Sequence, residues 1–148
     1  MKAVIQRVKI ASVAVNGETV GKCGNGLMVL FGAETNDTPE DAVLLAKKTA
    51  ALRVFCDENG KMNRSVCDIN GEMLVISQFT LCADVKKGNR PSFTGAMEPI
   101  KANELYLLYC EELRKNGIKS VETGIFGADM QVSLINDGPV TVMLDTEI

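Results

Sequence analysis

A glycine–proline pair near the C-terminus constrains the fold of this chain more than any other feature of its sequence. Gly138 and Pro139 separate two strand-like runs, residues 130–135 and 140–144. Glycine has a wide choice of backbone conformations, whereas proline fixes its φ angle and is the residue whose preceding peptide bond readily becomes cis. The pair predicts a rigid corner in the backbone. From these residues alone, a hairpin turn between the two runs is the plain interpretation.

The first third of the chain has the pattern of a β-meander. Its β-branched residues recur largely at every second position, which is typical of strands with one buried face. They are Val4, Val8, Ile10, Val13 and Val15. Asn16 and Gly17 follow as a strong signal for a two-residue hairpin. A continuous apolar run at residues 27–31 then predicts a buried strand.

Two helices are predicted farther along the chain. The first begins at Pro39, because Thr38 can cap it and Asp41 has a capping-box spacing from that cap. The second begins at Pro99 and ends before Gly117. The residues predicted to face the core from the first helix are Val43, Leu45, Ala46, Ala50 and Leu52.

Short strand-like segments fill much of the remaining sequence. They cover residues 53–55, 73–76, 120–122, 131–135 and 140–144. Because the sequence contains no repeat, low-complexity segment or linker, one domain is expected over residues 1–148. The order of these elements favours an α/β fold in which a curved, mixed, barrel-like β-sheet is covered by two helices.

The composition is that of an ordinary globular domain. Hydrophobic residues make up 46% and charged residues 24% of the chain, and the formal net charge is −3. Apolar runs such as residues 27–31 are far too short to span a bilayer, and the N-terminal residues do not resemble a signal peptide. The sequence therefore predicts a cytoplasmic protein that does not enter a membrane.

The chain contains five cysteines and no histidine. The cysteines are odd in number and widely spaced, so reduced thiols are expected rather than disulfides or a thiolate metal site. The lack of histidine excludes Ser-His-Asp and Cys-His catalysis and removes the usual general base at neutral pH. A hydrolase with this sequence must obtain its proton chemistry elsewhere.

A second motif follows the strand-like run at residues 73–76. Ser77, Gln78 and Thr80 place three hydrogen-bonding side chains around Phe79. Thr80 as a nucleophile would need a nearby base, which the motif lacks, and hydroxyls at a strand end commonly bond to the backbone instead. A third interpretation is that the backbone N–H groups of Phe79 and Thr80 stabilise an oxyanion, a role worth roughly 2.7–4 kcal/mol per donor.

A short basic cluster lies at Lys86, Lys87 and Arg90. Such runs are usually solvated loops, and the acidic net charge does not suggest a protein that grips a long nucleic acid through many phosphates. The cluster is still suited to holding the end of one strand.

Five segments together resemble the D-aminoacyl-tRNA deacylases. These are residues 1–8, 77–81, 90–93, 124–130 and 136–141, and they follow one another in the order found in that family. The resemblance covers essentially the whole chain. It implies a homodimeric editing hydrolase with a barrel-like sheet, no cofactor and no bound metal. Its implied partner is the 3′ end of aminoacyl-tRNA, and no DNA partner is expected.

The resemblance also implies roles for particular residues. The catalytic motif would consist of Ser77, Gln78, Phe79 and Thr80, with the 2′-hydroxyl of the terminal adenosine helping to orient or activate the attacking water. The substrate-binding residues would be Arg7, Phe126, Met130, Gly138 and Pro139.

In this family a cis Gly-Pro pair enters the active site of the partner subunit and excludes L-amino acids, while D-amino acids and glycine are released. Arg7 would hold that pair across the interface. For Phe126 and Met130, plain core packing is the alternative to a role in the pocket.

Two other functions remain open on the sequence. One is a non-catalytic nucleic-acid-binding module that uses Lys86, Lys87 and Arg90, and the other is an esterase with Thr80 as its nucleophile. A related fold with a trans Gly-Pro pair edits L-alanine, but the motifs at residues 77–80 and 136–141 point to the D-specific branch.

Overall fold

The computed structural model describes residues 1–147, which begin with the strands β1 (Lys2–Val15), β2 (Glu18–Cys23) and β3 (Gly26–Gly32). The prediction of a meander is wrong, because β1 pairs with both β2 and β3, whereas β2 and β3 do not pair with each other within these residues. Asn16 and Gly17, between β1 and β2, have φ angles of 50° and 81°. Two successive left-handed residues are the conformation that a type I′ hairpin requires, so the predicted turn is confirmed.

The two predicted helices are present. They are α1 (Pro39–Ala51) and α2 (Pro99–Lys115). The Asp41 carboxylate accepts the backbone N–H and the hydroxyl of Thr38, at 2.8 and 3.1 Å, which fixes the start of α1. At the start of α2, the Glu98 carboxylate accepts the N–H of Lys101 at 2.8 Å. No helix within residues 1–147 is long and apolar enough to cross a membrane.

The remaining elements connect and follow the helices. They are β4 (Phe55–Cys56), β5 (Met62–Arg64), β6 (Glu72–Ser77), a 3₁₀ turn (Phe79–Cys82), β7 (Val121–Thr123) and β8 (Gln131–Asp145). The main sheet runs in the order β2-β1-β3-β6-β7, and β8 pairs with β1. The sheet is mixed, because β3–β6 and β6–β7 are parallel and the other pairs are antiparallel.

The two ends of this sheet approach each other. A Cβ atom on Gly21 of β2 would lie 2.3 Å from the carbonyl oxygen of Thr123 on β7, so a side chain there would push the strands apart. The Glu122 carboxylate accepts the N–H of Lys22 at 3.0 Å across the same gap. The expected α/β fold, with a nearly closed barrel-like sheet and two helices, is confirmed.

The core has two parts. One lies between the helices and the sheet and includes the fully buried Tyr109. The other lies within the curved sheet, around Val13, Leu74 and Ile76. The prediction for Val43 is wrong, because its side chain is 41% exposed, whereas Thr49 is fully buried on the same helix.

The interpretation of Gly138 and Pro139 as a hairpin turn is also wrong. Both residues lie inside one continuous strand, β8, which runs beside β1. The strands are paired at Gln6↔Thr141 and at Val8↔Asn136, so Arg7 alone faces residues 137–140. Residues 137–140 therefore form a bulge of four residues opposite Arg7 and leave the ladder.

Candidate active site

A cavity of about 290 Å³ opens at the carboxyl ends of β3 and β6. It is lined by residues 31–33, 76–79 and 126–130, together with Met97, Ala102 and Val132. The structure thus brings Ser77, Gln78 and Phe79 together with Phe126 and Met130, although these segments lie far apart in the sequence. Thr80 immediately follows the lining residues.

The backbone changes direction at the end of β6. The N–H of Gln78 donates to the carbonyl of Phe31 at 2.7 Å, which ties the strand end to β3. The chain then enters the 3₁₀ turn, in which the N–H of Leu81 donates to the carbonyl of Gln78 at 3.2 Å. The first N–H groups of a helical turn have no acceptor within the turn. Those of Phe79 and Thr80 have no acceptor elsewhere in residues 1–147 either.

Thr80 is not placed beside a base. Its hydroxyl oxygen accepts a hydrogen bond from the side-chain amide of Gln78, which is a donor and cannot remove a proton. No other side-chain partner of this hydroxyl occurs within residues 1–147. The arrangement positions the hydroxyl without activating it as a nucleophile.

The opposite wall of the cavity comes from the segment between β7 and β8. Phe126 is half-buried, and its ring lies 6.0 Å from that of Tyr106 on α2. Tyr106 is itself fixed by the bond from its hydroxyl to the carbonyl of Val75, at 2.6 Å. A Cβ atom on Gly124 would lie 2.6 Å from the sulfur of Met130, so glycine makes room for that side chain. Phe126 and Met130 therefore belong to both the cavity wall and the edge of the core.

Few ionisable groups lie near the cavity. Asp129 is the only ionisable residue that lines it within the described part of the chain. Cys82 lies behind the wall, and its thiol donates to the carbonyl of Ala33 at 3.4 Å. Burial, assisted by the negative charge of Glu34, raises the pKa of the Cys82 thiol and keeps it protonated at neutral pH.

A group of carboxylates lies outside the cavity. Glu34, Asp145 and Glu147 place oxygen atoms within 4.8 Å of one another, the only such group within residues 1–147. None of the three lines the cavity.

The other predicted binding residues lie apart from the cavity lining. Arg7 is 9% exposed, and its guanidinium donates to the carbonyl of Val54 at 2.7 Å and to that of Asp137 at 3.1 Å. It also pairs with the Asp137 carboxylate at 3.2 Å. The peptide bond between Gly138 and Pro139 is cis, and both residues are exposed.

Sequence reasoning missed Asn136, whose side chain helps to hold the bulge at residues 137–140. Its side-chain amide donates to the carbonyl of Arg7 at 3.0 Å and to that of Val140 at 3.1 Å. The amide therefore bridges the point at which β1 and β8 lose their register. An asparagine two residues before Gly138 was the available signal, since its short amide readily bonds to nearby backbone.

Solved structures place the fold in a known class. The chain aligns with a structure described as that of a probable eukaryotic D-amino acid tRNA deacylase, with a TM-score of 0.82, 18% identity and 97% of each chain covered. It also aligns with the c-Myc DNA Unwinding Element Binding Protein, with a TM-score of 0.93, 45% identity and 99% of each chain covered. The architecture is thus that of the tRNA deacylases.

The chain belongs to the D-Tyr-tRNA(Tyr) deacylase family, whose sequence model matches residues 4–145. It is 60% identical over 146 residues to the D-aminoacyl-tRNA deacylase of Syntrophotalea carbinolica, covering 99% of this chain and 97% of that one. It is 55% identical over 147 residues to that of Thermosipho africanus, covering 99% and 98%. Its activity is accordingly that of a hydrolase acting on the ester bond of D-aminoacyl-tRNA, and tRNA is its partner.

Proposed function

We propose that the cavity holds the aminoacyl-adenosine end of the tRNA and that the N–H groups of Phe79 and Thr80 bind the oxyanion formed during hydrolysis. The observation that carries this proposal is that both donors lack a protein acceptor at a cavity-lining strand end. Preorganised backbone donors of this kind are worth roughly 2.7–4 kcal/mol each in acyl transfer. Ser77 and Gln78 brace the motif.

The reaction is the addition of water to the ester carbonyl. The carbon–oxygen bond to the 3′ oxygen then breaks, and that oxygen leaves as a hydroxyl after taking up a proton. An aminoacyl ester is already activated, so a positioned water and an oxyanion site suffice. The neighbouring 2′-hydroxyl of the substrate orients or activates the water, a role that no histidine of this chain can take.

Chiral selection in this proposal comes from Gly138 and Pro139 of the partner subunit. Within one chain the pair is exposed and absent from the cavity lining. Arg7 and Asn136 of that same chain hold the bulge in a defined position, so in this proposal Arg7 acts within its own subunit and not across the interface. The carbonyl oxygens of Gly138 and Pro139 would face the substrate Cα and leave no space for the side chain of an L-amino acid. D-amino acids of different sizes and glycine would then be hydrolysed, because rejection needs no side-chain pocket.

A homodimer is required by this arrangement. The strand β8 pairs only with β1 within the described residues, so its other edge is open. Large apolar side chains are exposed along this strand pair, namely Ile10, Val132, Ile135 and Met143, at 54%, 38%, 56% and 73%. An isologous two-fold contact on this face would cover them and carry each bulge toward the other subunit.

The chirality assay compares hydrolysis of D-tyrosyl-tRNA, L-tyrosyl-tRNA and glycyl-tRNA. We expect the first and third to be hydrolysed and the second to be spared. Equal rates on the D and L esters would contradict the proposed exclusion of L-amino acids by Gly138 and Pro139. No hydrolysis of any ester would instead leave nucleic-acid binding as the function.

The cross-subunit arrangement is tested by complementation. Ala128→Trp fills the cavity wall, whereas Gly138→Val adds a side chain at the bulge. A Cβ atom on Gly138 would meet only the Asn136 side-chain oxygen within its own chain, at 3.6 Å, so this variant has room to fold. Each homodimer should be inactive, but a co-expressed heterodimer should recover one intact site. An inactive, correctly folded heterodimer would show that each bulge serves its own subunit.

A nucleic-acid-binding module is the second candidate, favoured by the 45% identity to a DNA unwinding element binding protein. Tight binding of bare tRNA or DNA without any deacylation would support it. A trapped acyl ester on Thr80 would support the esterase with a threonine nucleophile.

A further inference from the structure

Two exposed phenylalanine rings stand together at the mouth of the cavity. Phe79 lines the cavity and is 56% exposed, and Phe93 is 37% exposed. Their ring centroids are 5.1 Å apart and their planes meet at 65°. Neither residue belongs to the two core clusters. The edge-to-face contact leaves ring surface open to a ligand.

The loop that carries Phe93 is held in place at both ends. Asp84 and Ser92 exchange backbone hydrogen bonds of 2.8 and 2.9 Å at its base. Beyond Phe93, the N–H of Met97 donates to the carbonyl of Ala33 at 3.0 Å. Ala33 and Met97 both line the cavity, so the loop is attached directly to the cavity wall.

This loop carries uncompensated positive charge. Lys86, Lys87 and Arg90 are exposed, and none of them has a carboxylate within 4.0 Å in the described part of the chain. The loop's only acid, Asp84, accepts the N–H of Lys86 at 2.9 Å. A cationic loop beside the cavity contrasts with a chain whose net charge is −3.

We propose that these five residues, the aromatic–basic rim, bind the single-stranded nucleotides that precede the terminal adenosine of the tRNA. The inference rests on the proposed function, since an ester held in the cavity brings those nucleotides to its mouth. Single strands bind proteins by stacking bases on aromatic rings while basic side chains follow the phosphates. The rim has both parts: Phe79 and Phe93 present rings, and Lys86, Lys87 and Arg90 present charge.

The rim contributes to substrate binding, whereas the chemical step takes place in the cavity. Loss of a stacked base weakens binding by roughly five- to 150-fold. Each phosphate contact on a single strand contributes about −0.7 to the slope of log affinity against log salt concentration. Removal of three phosphate contacts should therefore make that slope less steep by about two.

The test uses two substrates, D-tyrosyl-tRNA and the minimal ester D-tyrosyl-adenosine, which lacks the preceding nucleotides. The charge variant combines Lys86→Ala, Lys87→Ala and Arg90→Ala, and the ring variant is Phe93→Ala. The matched control, Lys47→Ala, Lys48→Ala and Lys61→Ala, removes the same charge from exposed positions outside the cavity and the rim.

We expect the charge variant to raise KM for D-tyrosyl-tRNA at least tenfold, with a weaker salt dependence and unchanged kcat. The ring variant should raise KM for that substrate about tenfold and keep the salt dependence. Both variants should hydrolyse D-tyrosyl-adenosine like the wild type, and the control should behave like the wild type on both substrates.

Three outcomes would overturn the inference. They are a wild-type KM and salt slope in the charge variant, an equal loss on D-tyrosyl-adenosine, and an equal loss in the control. Failure of the proposed function is distinguishable, because the wild-type protein would then hydrolyse neither substrate.

Discussion

At the scale of single residues, the hydrogen-bond partners of a hydroxyl or thiol decide whether it can act as a nucleophile. Thr80 lies next to the cavity, but its hydroxyl faces an amide donor, and burial raises the pKa of the nearby Cys82 thiol. Neither residue has a partner that would make it a nucleophile at neutral pH. The backbone N–H groups of the same segment, in contrast, are already free to donate.

We therefore expect Thr80→Ala to keep kcat within about tenfold of the wild type. A substrate that ends in 2′-deoxyadenosine and is charged at the 3′ position should lose roughly 10²–10⁴-fold, the range of a lost acid–base contribution. Single-turnover hydrolysis of both esters measures the two effects. An inactive Thr80→Ala enzyme with an unaffected 2′-deoxy substrate would assign the chemistry to threonine.

The sequence was sufficient to find the residues whose neighbours are close in the chain. Gln78 and Thr80 contact each other two residues apart, and Asp41 caps α1 from three residues beyond Thr38. Asn136 was missed as a bridge between β1 and β8 because the acceptor on β1, the carbonyl of Arg7, lies 129 positions away. Contacts of that kind depend on strand register, which single residues do not reveal.

At the scale of elements, the two helices meet through a buried polar contact. The hydroxyls of Thr49 on α1 and Tyr109 on α2 are 2.8 Å apart, and both side chains are fully buried. Thr49 also donates to the carbonyl of Leu45 in its own helix at 2.8 Å. Tyr109 therefore donates to Thr49, and it depends on that oxygen as its acceptor.

This direction of donation predicts unequal effects of two substitutions. Tyr109→Phe should lower the free energy of unfolding by about 0.5–1.5 kcal/mol, because Thr49 keeps its bond to Leu45. Thr49→Val should lower it by about 1–3 kcal/mol, since the Tyr109 hydroxyl is then buried without an acceptor. Urea denaturation measures both. A larger loss for Tyr109→Phe would show that donation runs the other way.

Helices and strands were predictable where the residues that mark them lie close together in the sequence. Capping and proline signals located both helices, but the periodicity alone assigned Val43 to the core face, where the structure has Thr49. The C-terminal strand was divided in two because Gly138 and Pro139 imitate a turn. Pairing with β1 on both sides of Arg7 joins the halves, and only the folded sheet shows this.

At the scale of the whole molecule, the order of elements was enough to predict the class of fold but not the cavity. The cavity unites residues 31–33, 76–79 and 126–130, which meet because β3 and β6 are parallel and the sheet curves toward closure. Parallel pairing over such distances has no local signature. The family's motifs identified two of these three segments, those at residues 76–79 and 126–130, without indicating how they are arranged, and they did not identify residues 31–33.

The two core clusters also give the molecule a common response to alkaline pH. Burial, with a contribution from Glu72, raises the pKa of Cys23 to about 11, and burial raises that of Cys110 to about 12. An ordinary thiol titrates near 9, so at higher pH the unfolded chain releases protons that the folded chain retains. The stability that these groups contribute is complete below pH 9 and is lost as pH rises toward the folded-state values.

We expect the free energy of unfolding to fall between about pH 9 and 10, before the tyrosines of the unfolded chain are largely deprotonated. Each thiol changes the folding equilibrium constant by up to about tenfold per pH unit. Urea titrations at several pH values measure this slope, and the double variant Cys23→Ala, Cys110→Ala should flatten it even if its absolute stability is lower. An equally steep decline in the double variant would assign the alkaline sensitivity to groups other than these two buried thiols.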